Sequence, residues 1–159
     1  MTSVDFDGQG LTEIDPEVFL DQNLEVLQCH GNHITKLESH PGLRELYCGN
    51  NPLTELPPFP MLHTLECEEN MIHDLGEYPR LAQLYCGHNR LDRLREYPNL
   101  VHLICPGNNI ERMPYYPKLV EIDLTGNPIA ELMDDPTDVE EYHRLYQAER
   151  LRQKKPARR

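Results

Sequence analysis

Residues 43–60 read LRELYCGNNPLTELPPFP, and nearly every feature of this stretch returns 19 residues later. Its cysteine is one of five, Cys29, Cys48, Cys67, Cys86 and Cys105, all at that spacing. Aligning on the cysteines brings the rest into columns. Leu24, Leu43, Leu62, Leu81, Leu100 and Leu119 open the units, and Leu27, Leu46, Leu65, Leu84, Leu103 and Ile122 follow three residues later. An asparagine comes next: Asn32, Asn51, Asn70, Asn89, Asn108 and Asn127. Two further apolar columns run Ile34, Leu53, Ile72, Leu91, Ile110, Ile129 and Leu37, Leu56, Leu75, Leu94, Met113, Leu132. A period this short and regular means one small unit stacked on copies of itself, burying its apolar side chains against its neighbours.

Around the leucine and cysteine positions, side chains alternate in and out as a strand requires, so successive units should line up as a parallel sheet with about 4.8 Å between strands. After the last leucine only five residues remain, usually ending in aromatic-Pro: Phe59-Pro60, Tyr78-Pro79, Tyr97-Pro98 and Tyr116-Pro117, with His40-Pro41 as the variant. Proline and its predecessor both disfavour helix. The expected outer side is therefore extended and polyproline-like, and without packed helices the solenoid should curve only gently. A buried column of asparagine can satisfy the backbone of the turn leaving each strand, since the amide both donates and accepts. An apolar replacement there should cost about 1–3 kcal/mol.

Both ends depart from the unit. Residues 1–23 form an atypical first repeat, with Val4, Phe6, Gln9, Leu11 and Ile14 in the aligned slots and a four-residue insertion in which Asp15-Pro16-Glu17 resembles a helix start. Regular repeats fill 24–132. Asp135-Pro136 followed by Asp138 reads as a helix cap, and Val139, Tyr142, Leu145 and Tyr146 follow helical spacing. A capping helix is expected over 136–152, within a C-terminal segment 133–153, before a basic tail at 154–159.

The motif in residues 43–60 resembles the short leucine-rich repeats of bacterial effector proteins. With cysteine in the sixth slot, it is more similar still to the repeats encoded in large numbers by giant DNA viruses of amoebae. The likeness covers about residues 1–132 and is specific for fold. It implies a solenoid with its parallel sheet on the concave side, and recognition of a protein on that side. Catalysis in such families resides in a separate domain, for which this chain has no length left. The ending Asp123-Leu124-Thr125-Gly126-Asn127-Pro128-Ile129, followed by a tyrosine-containing helix, also resembles the terminal cap of intracellular leucine-rich repeat proteins.

The net charge of −12 is unevenly spread. Residues 1–143 hold 8 Lys and Arg against 26 Asp and Glu, whereas 144–159 hold 7 basic residues and only Glu149. An acidic body repels phosphate backbones, so nucleic acid is not an expected partner except through the basic tail, and a basic protein is. No apolar run approaches the roughly 18 residues of a membrane span. Met1-Thr2-Ser3-Val4-Asp5 is not a charged-then-apolar leader. Together with five thiols, these features point to a reducing, cytoplasmic setting, with the nucleus as the alternative.

Metal binding would need about four converging ligands, whereas the cysteine column is linear; a disulfide would leave one of five unpaired. The column is read as small, buried, reduced apolar groups, a role consistent with Phe6 and Leu124 in the same slot at the two ends. The eight histidines show no metal or nucleophile partnership and are read as solvated surface. The acidic run Asp134, Asp135, Asp138, Glu140 and Glu141 is read as complementing the positive end of the helix. No cofactor, metal or catalytic constellation is expected.

Function should lie on the outward strand positions. The residue before each cysteine slot runs Asp5, Gln28, Tyr47, Glu66, Tyr85, Ile104, Asp123, and the row two earlier runs Ser3, Val26, Glu45, Thr64, Gln83, His102, Glu121. His30, Glu68 and Pro106 follow the cysteines. Tyr47, Tyr85, Ile104, Glu45, Glu66, Glu68 and His102 are the candidate partner-binding residues: exposed anchors ringed by charge. The bland alternative is scattered surface apolar residues, with Gly49 and Gly87 simply letting the tyrosines lie flat. The expected function is a monomeric, non-enzymatic protein-binding module. The alternative is a structural subunit of a larger assembly such as a virion, joined through Phe59, Tyr78, Tyr97 and Tyr116 on the outer side or through its ends.

Overall fold

A computed structural model describes residues 2–153, with side chains to 148; the basic tail at 154–159 lies outside the described residues. Seven short strands, β1 Thr2–Asp5, β2 Leu24–Gln28, β3 Glu45–Tyr47, β4 Thr64–Glu66, β5 Gln83–Tyr85, β6 His102–Ile104 and β7 Glu121–Asp123, form one sheet in chain order. Every pairing is parallel, and the register is the 19-residue register of the sequence: Leu46 faces Leu27 and Leu65, and Tyr47 faces Gln28 and Glu66. The connections between β2 and β7 are extended and contain no helix. Two 3-10 helices, Pro16–Leu20 and Pro128–Leu132, mark the first and last turns, and helix α1, Val139–Gln153, closes the C-terminal end.

The core is a stack of columns. In the third unit Leu43, Leu46, Cys48 and Leu53 are fully buried, and the next unit repeats this with Leu62, Leu65, Cys67 and Ile72. Burying each such leucine is worth about 1.5–3 kcal/mol, and only the neighbouring unit supplies the other wall. All five cysteines are free and fully buried. Burial raises the Cys29 thiol to about 12 and raises Cys67 also, so both stay protonated and apolar.

The aromatic column is buried too, contrary to its expected availability on the outer side. Phe59, Tyr78, Tyr97 and Tyr116 are 0–1 % exposed. The prolines face out while the preceding rings turn in and fill the end of the core. Tyr78, Tyr97 and Tyr116 stack with centroids 6.3 Å apart at 14–15°. The Tyr97 hydroxyl donates to Gly76 O at 3.1 Å and that of Tyr116 to Arg95 O at 2.6 Å, whereas the buried Tyr78 hydroxyl, near the Gly76 backbone, makes no well-formed hydrogen bond among the described residues. His40 occupies the same slot, is 2 % exposed and reaches Asp21 O through Nε2 at 3.0 Å, so it is a core residue and not solvated surface. Leu132, aligned with a core column, is 72 % exposed because the last turn winds into the 3-10 helix Pro128–Leu132.

The asparagines tie the turns together. The Asn51 amide nitrogen donates to Cys29 O of the preceding unit at 2.9 Å and to Cys48 O and Gly49 O of its own at 3.1 Å, and its oxygen accepts from Ile34 N at 3.0 Å. Asn70, Asn89 and Asn108 repeat the pattern. One residue before each asparagine the backbone is left-handed. Gly31, Gly107 and Gly126 occupy that slot at φ 66–73°, but so do Asn50, Glu69 and His88 at φ 52–54°. Side chains other than glycine and asparagine are strained there by about 1–2 kcal/mol.

Helix α1 begins at Val139, three residues later than expected, because 135–138 form a turn closed by the Asp135 carboxylate, which accepts from Thr137 N at 2.9 Å. Asp138 caps the helix by accepting from Glu140 N and Glu141 N. Glu141 is 5 % exposed and accepts from Asp134 N and Asp135 N at 2.9 and 3.0 Å, so part of the acidic run clamps the chain that leads into the helix. The helix docks through rings: Tyr142 is buried and its hydroxyl accepts from Tyr116 N, Tyr146 stacks on Tyr115 at 4.7 Å, and His143 reaches Leu119 O at 2.9 Å.

Tyr97→Phe, which strands Gly76 O, should lower stability by about 1 kcal/mol in urea denaturation. Tyr78→Phe removes an unpaired buried hydroxyl and should shift stability upward by up to about 1 kcal/mol; equal losses in the two variants would refute the assigned bonding. Glu69→Gly should add about 0.5–1 kcal/mol by relieving a left-handed side chain, net of the entropy glycine brings to the unfolded chain.

Candidate protein-binding face

Strand alternation sends the leucines inward and the residues between them to the open sheet face. Because the strands are in register, that face is a set of straight rows. The first runs Gln28, Tyr47, Glu66, Tyr85, Ile104, Asp123, each directly beside the next, and the second runs Val26, Glu45, Thr64, Gln83, His102, Glu121. Tyr47, Glu66, Tyr85 and Ile104 are therefore four consecutive neighbours. Glu45 is joined to Tyr47, whose hydroxyl donates to Glu45 Oε2 at 2.7 Å. His102 sits between Gln83 and Glu121 in register, and its Nδ1 is buried without a hydrogen-bond partner. Glu68 lies in the turn after β4, where its carbonyl accepts from Asn50 N at 2.8 Å.

All seven candidates are half-buried. Strands about 4.8 Å apart crowd the side chains of a row against one another; Val26 and Thr64, each 7 % exposed, are covered altogether. The glycines have a different role from the one the sequence suggested. A Cβ on Gly49 would lie 2.7 Å from the His30 ring, and one on Gly87 would lie 3.0 Å from the Pro106 ring, so these positions admit rings from adjacent repeats and not the tyrosines of their own. His30, an outward position outside the candidate set, stands near enough to Glu66 and Glu68 to favour their charged forms.

The electrostatics follow from crowding. Burial, then the hydrogen bond to Glu45, raises the Tyr47 hydroxyl to about 12. Burial, then the carboxylates of Glu121, Glu66 and Glu68, raises that of Tyr85. Partial burial also raises Glu66 and Glu68 above the ordinary 4.5, with His30 opposing it. Among the described residues no Lys, Arg or His forms an ion pair with Glu45, Glu66 or Glu68; the four ion pairs there are Lys36–Glu38, Arg44–Glu25, Arg93–Asp74 and Arg95–Asp74. The face thus holds unneutralised, partly desolvated negative charge between aromatic rings. No cluster of three or more His, Cys, Asp or Glu among the described residues could hold a metal ion.

A carboxyl whose pKa is higher folded than unfolded binds its proton more tightly in the folded state, so stability falls as pH rises from the ordinary 4.5 through the raised value. Glu68→Gln should accordingly raise the urea midpoint at pH 7, and the gain should close as pH is lowered to about 4. A gain that persists unchanged at low pH would show the carboxylate is not the source.

Residues 22–61 match the family model described as Leucine Rich repeats (2 copies). No curated protein matches the chain. The matched stretch covers two units, and the same strand and asparagine bonds recur at the same spacing to the last turn. Solenoids of this kind are typically non-enzymatic scaffolds for protein–protein interaction, and no helix among the described residues is long and apolar enough to cross a membrane. With residues 22–61 matching the leucine-rich repeat model, the chain folds as a leucine-rich repeat solenoid of short units built on a seven-stranded parallel sheet.

Proposed function

We propose that the protein is a non-catalytic module that binds a basic protein on its concave sheet face. Tyr47, Tyr85 and Ile104 anchor the partner, Glu45, Glu66 and Glu68 attract and orient it, and His102 forms the far end of the patch. The observation that carries this reading is the run of half-buried Tyr47, Glu66, Tyr85 and Ile104 in one row, bordered by carboxylates that form no ion pair among the described residues. Rigid aromatic anchors inside a charged surround are what interface hot spots require, and the surrounding charge favours encounter with positive surfaces.

The alternative, a structural subunit of a larger assembly, would have to use other contacts than the outer aromatic column, which is buried. Its remaining support is at the two ends, where Leu20 is 74 % exposed and Val120 and Leu132 are 61 % and 72 % exposed. We place the monomeric binder first, in a reducing compartment that suits five buried free thiols.

The test compares recovery of partners from native cell extract by wild type and by Tyr47→Ala/Tyr85→Ala, with folding checked by thermal transition and mass by light scattering. A monomer whose variant loses partner recovery at least about tenfold is expected, since two anchors at about 1 kcal/mol or more each are removed. Unchanged recovery would remove the face from the reading, and self-association at high concentration would favour the assembly subunit.

A further inference from the structure

Tyr47 and Tyr85 lie in the same row two strands apart, with Glu66 on the strand between them. Twice the strand spacing puts their row positions about 9.6 Å apart. Neither ring stacks on another aromatic among the described residues, and the row places a tyrosine on each side of Glu66. Among the described residues Glu66 accepts no side-chain hydrogen bond and forms no ion pair, with His30 the nearest titratable cation, whereas Glu45 is held by the Tyr47 hydroxyl. Glu68 adds a second negative charge from the next turn.

Three classes of occupant can be compared. An anion is repelled by Glu45, Glu66 and Glu68. An apolar side chain would cover Glu66 without giving it a partner, and covering an unpaired charge costs several kcal/mol. A cation over Glu66 would sit between two tyrosine positions of the row, whose ring faces can attract positive charge, and would meet a carboxylate already partly stripped of water. Of the two basic side chains, arginine suits the slot better. Its guanidinium is flat, presents a face to a ring on either side, and offers paired N–H donors to both oxygens of one carboxylate; the lysine ammonium is more strongly hydrated and has no face.

We infer that the Tyr47–Glu66–Tyr85 slot receives an arginine side chain from an extended, basic segment of the partner. This rests on the concave-face reading above and specifies what that face recognises. The same charge repels phosphate from the slot.

The experiment follows backbone amide shifts of the full ¹⁵N-labelled chain during titration with N-acetyl-arginine amide, N-acetyl-lysine amide and the neutral isostere N-acetyl-citrulline amide. Saturable shifts centred on Tyr47, Glu66 and Tyr85 are expected for the arginine probe, with binding at least about fivefold weaker for lysine and undetectable for citrulline. Glu66→Gln should weaken the arginine probe at least about tenfold. Glu131→Gln, which removes the same charge at an exposed position off the face, should leave it unchanged. Equal responses to arginine and citrulline, or equal losses in Glu66→Gln and Glu131→Gln, would overturn the slot, as would lysine binding as tightly as arginine. Partner recovery that depends on Tyr47 and Tyr85 while wild type shows no arginine-specific shift would overturn the slot and leave the face standing. Arginine-specific shifts with partner recovery indifferent to both tyrosines would keep the slot and overturn the face.

Discussion

Everything in this solenoid depends on the buried asparagine amide. A strand of three residues followed by a sharp exit leaves carbonyls and amides inside an apolar stack, where each unpaired group costs about 1–3 kcal/mol. One side chain meets four of them: Asn51 serves Cys29 O, Cys48 O and Gly49 O as donor and Ile34 N as acceptor. Because those groups belong to two consecutive units, the same bonds that satisfy a turn also set its distance and register from the next. The leucine, cysteine and tyrosine columns can then be straight, and the outward rows straight with them.

That regularity leaves the outward rows free to differ. The inner columns repeat almost without exception, while the first outward row changes from glutamine to tyrosine, glutamate, tyrosine, isoleucine and aspartate along its length. The scaffold bears the crowding that results: the Tyr47 hydroxyl, Glu66 and Glu68 are all displaced toward their uncharged forms by partial burial. A surface kept this way is less stable than it would be with neutral residues, a common feature of sites reserved for another molecule. The C-terminal helix has the opposite character. Its buried tyrosine, stacked rings and clamped lead-in are all directed at the last repeat.

Much of this was legible from spacing. The 19-residue period located the strands, their register, the inner columns and the asparagine ladder, because each follows from alternation or from the chemistry of one residue type. The inward turn of Phe59, Tyr78, Tyr97 and Tyr116 was not legible. Beside a proline in an extended segment there is no alternation to say which way a ring points. The half-burial of Tyr47 and Tyr85 was also hidden, since it arises from neighbours 19 residues away on both sides. The left-handed slot did leave a trace: Gly31, Gly107 and Gly126 mark it, but Asn50, Glu69 and His88 at the same position obscure the column. His40 and His143 read as surface and are packed, because a ring's surroundings depend on the fold more than on its polarity.

In the asparagine ladder each unit's apolar amide finds its acceptor in the following unit: Ile34 in Asn51, Leu53 in Asn70, Ile72 in Asn89. A chain built this way can change its length only in whole quanta. Removing or duplicating one 19-residue block joins a donor to an equivalent acceptor and leaves no orphan, whereas a fractional change severs the ladder at the junction. Gain or loss of whole blocks therefore lets the length of the solenoid change in steps while its fold is kept at each one.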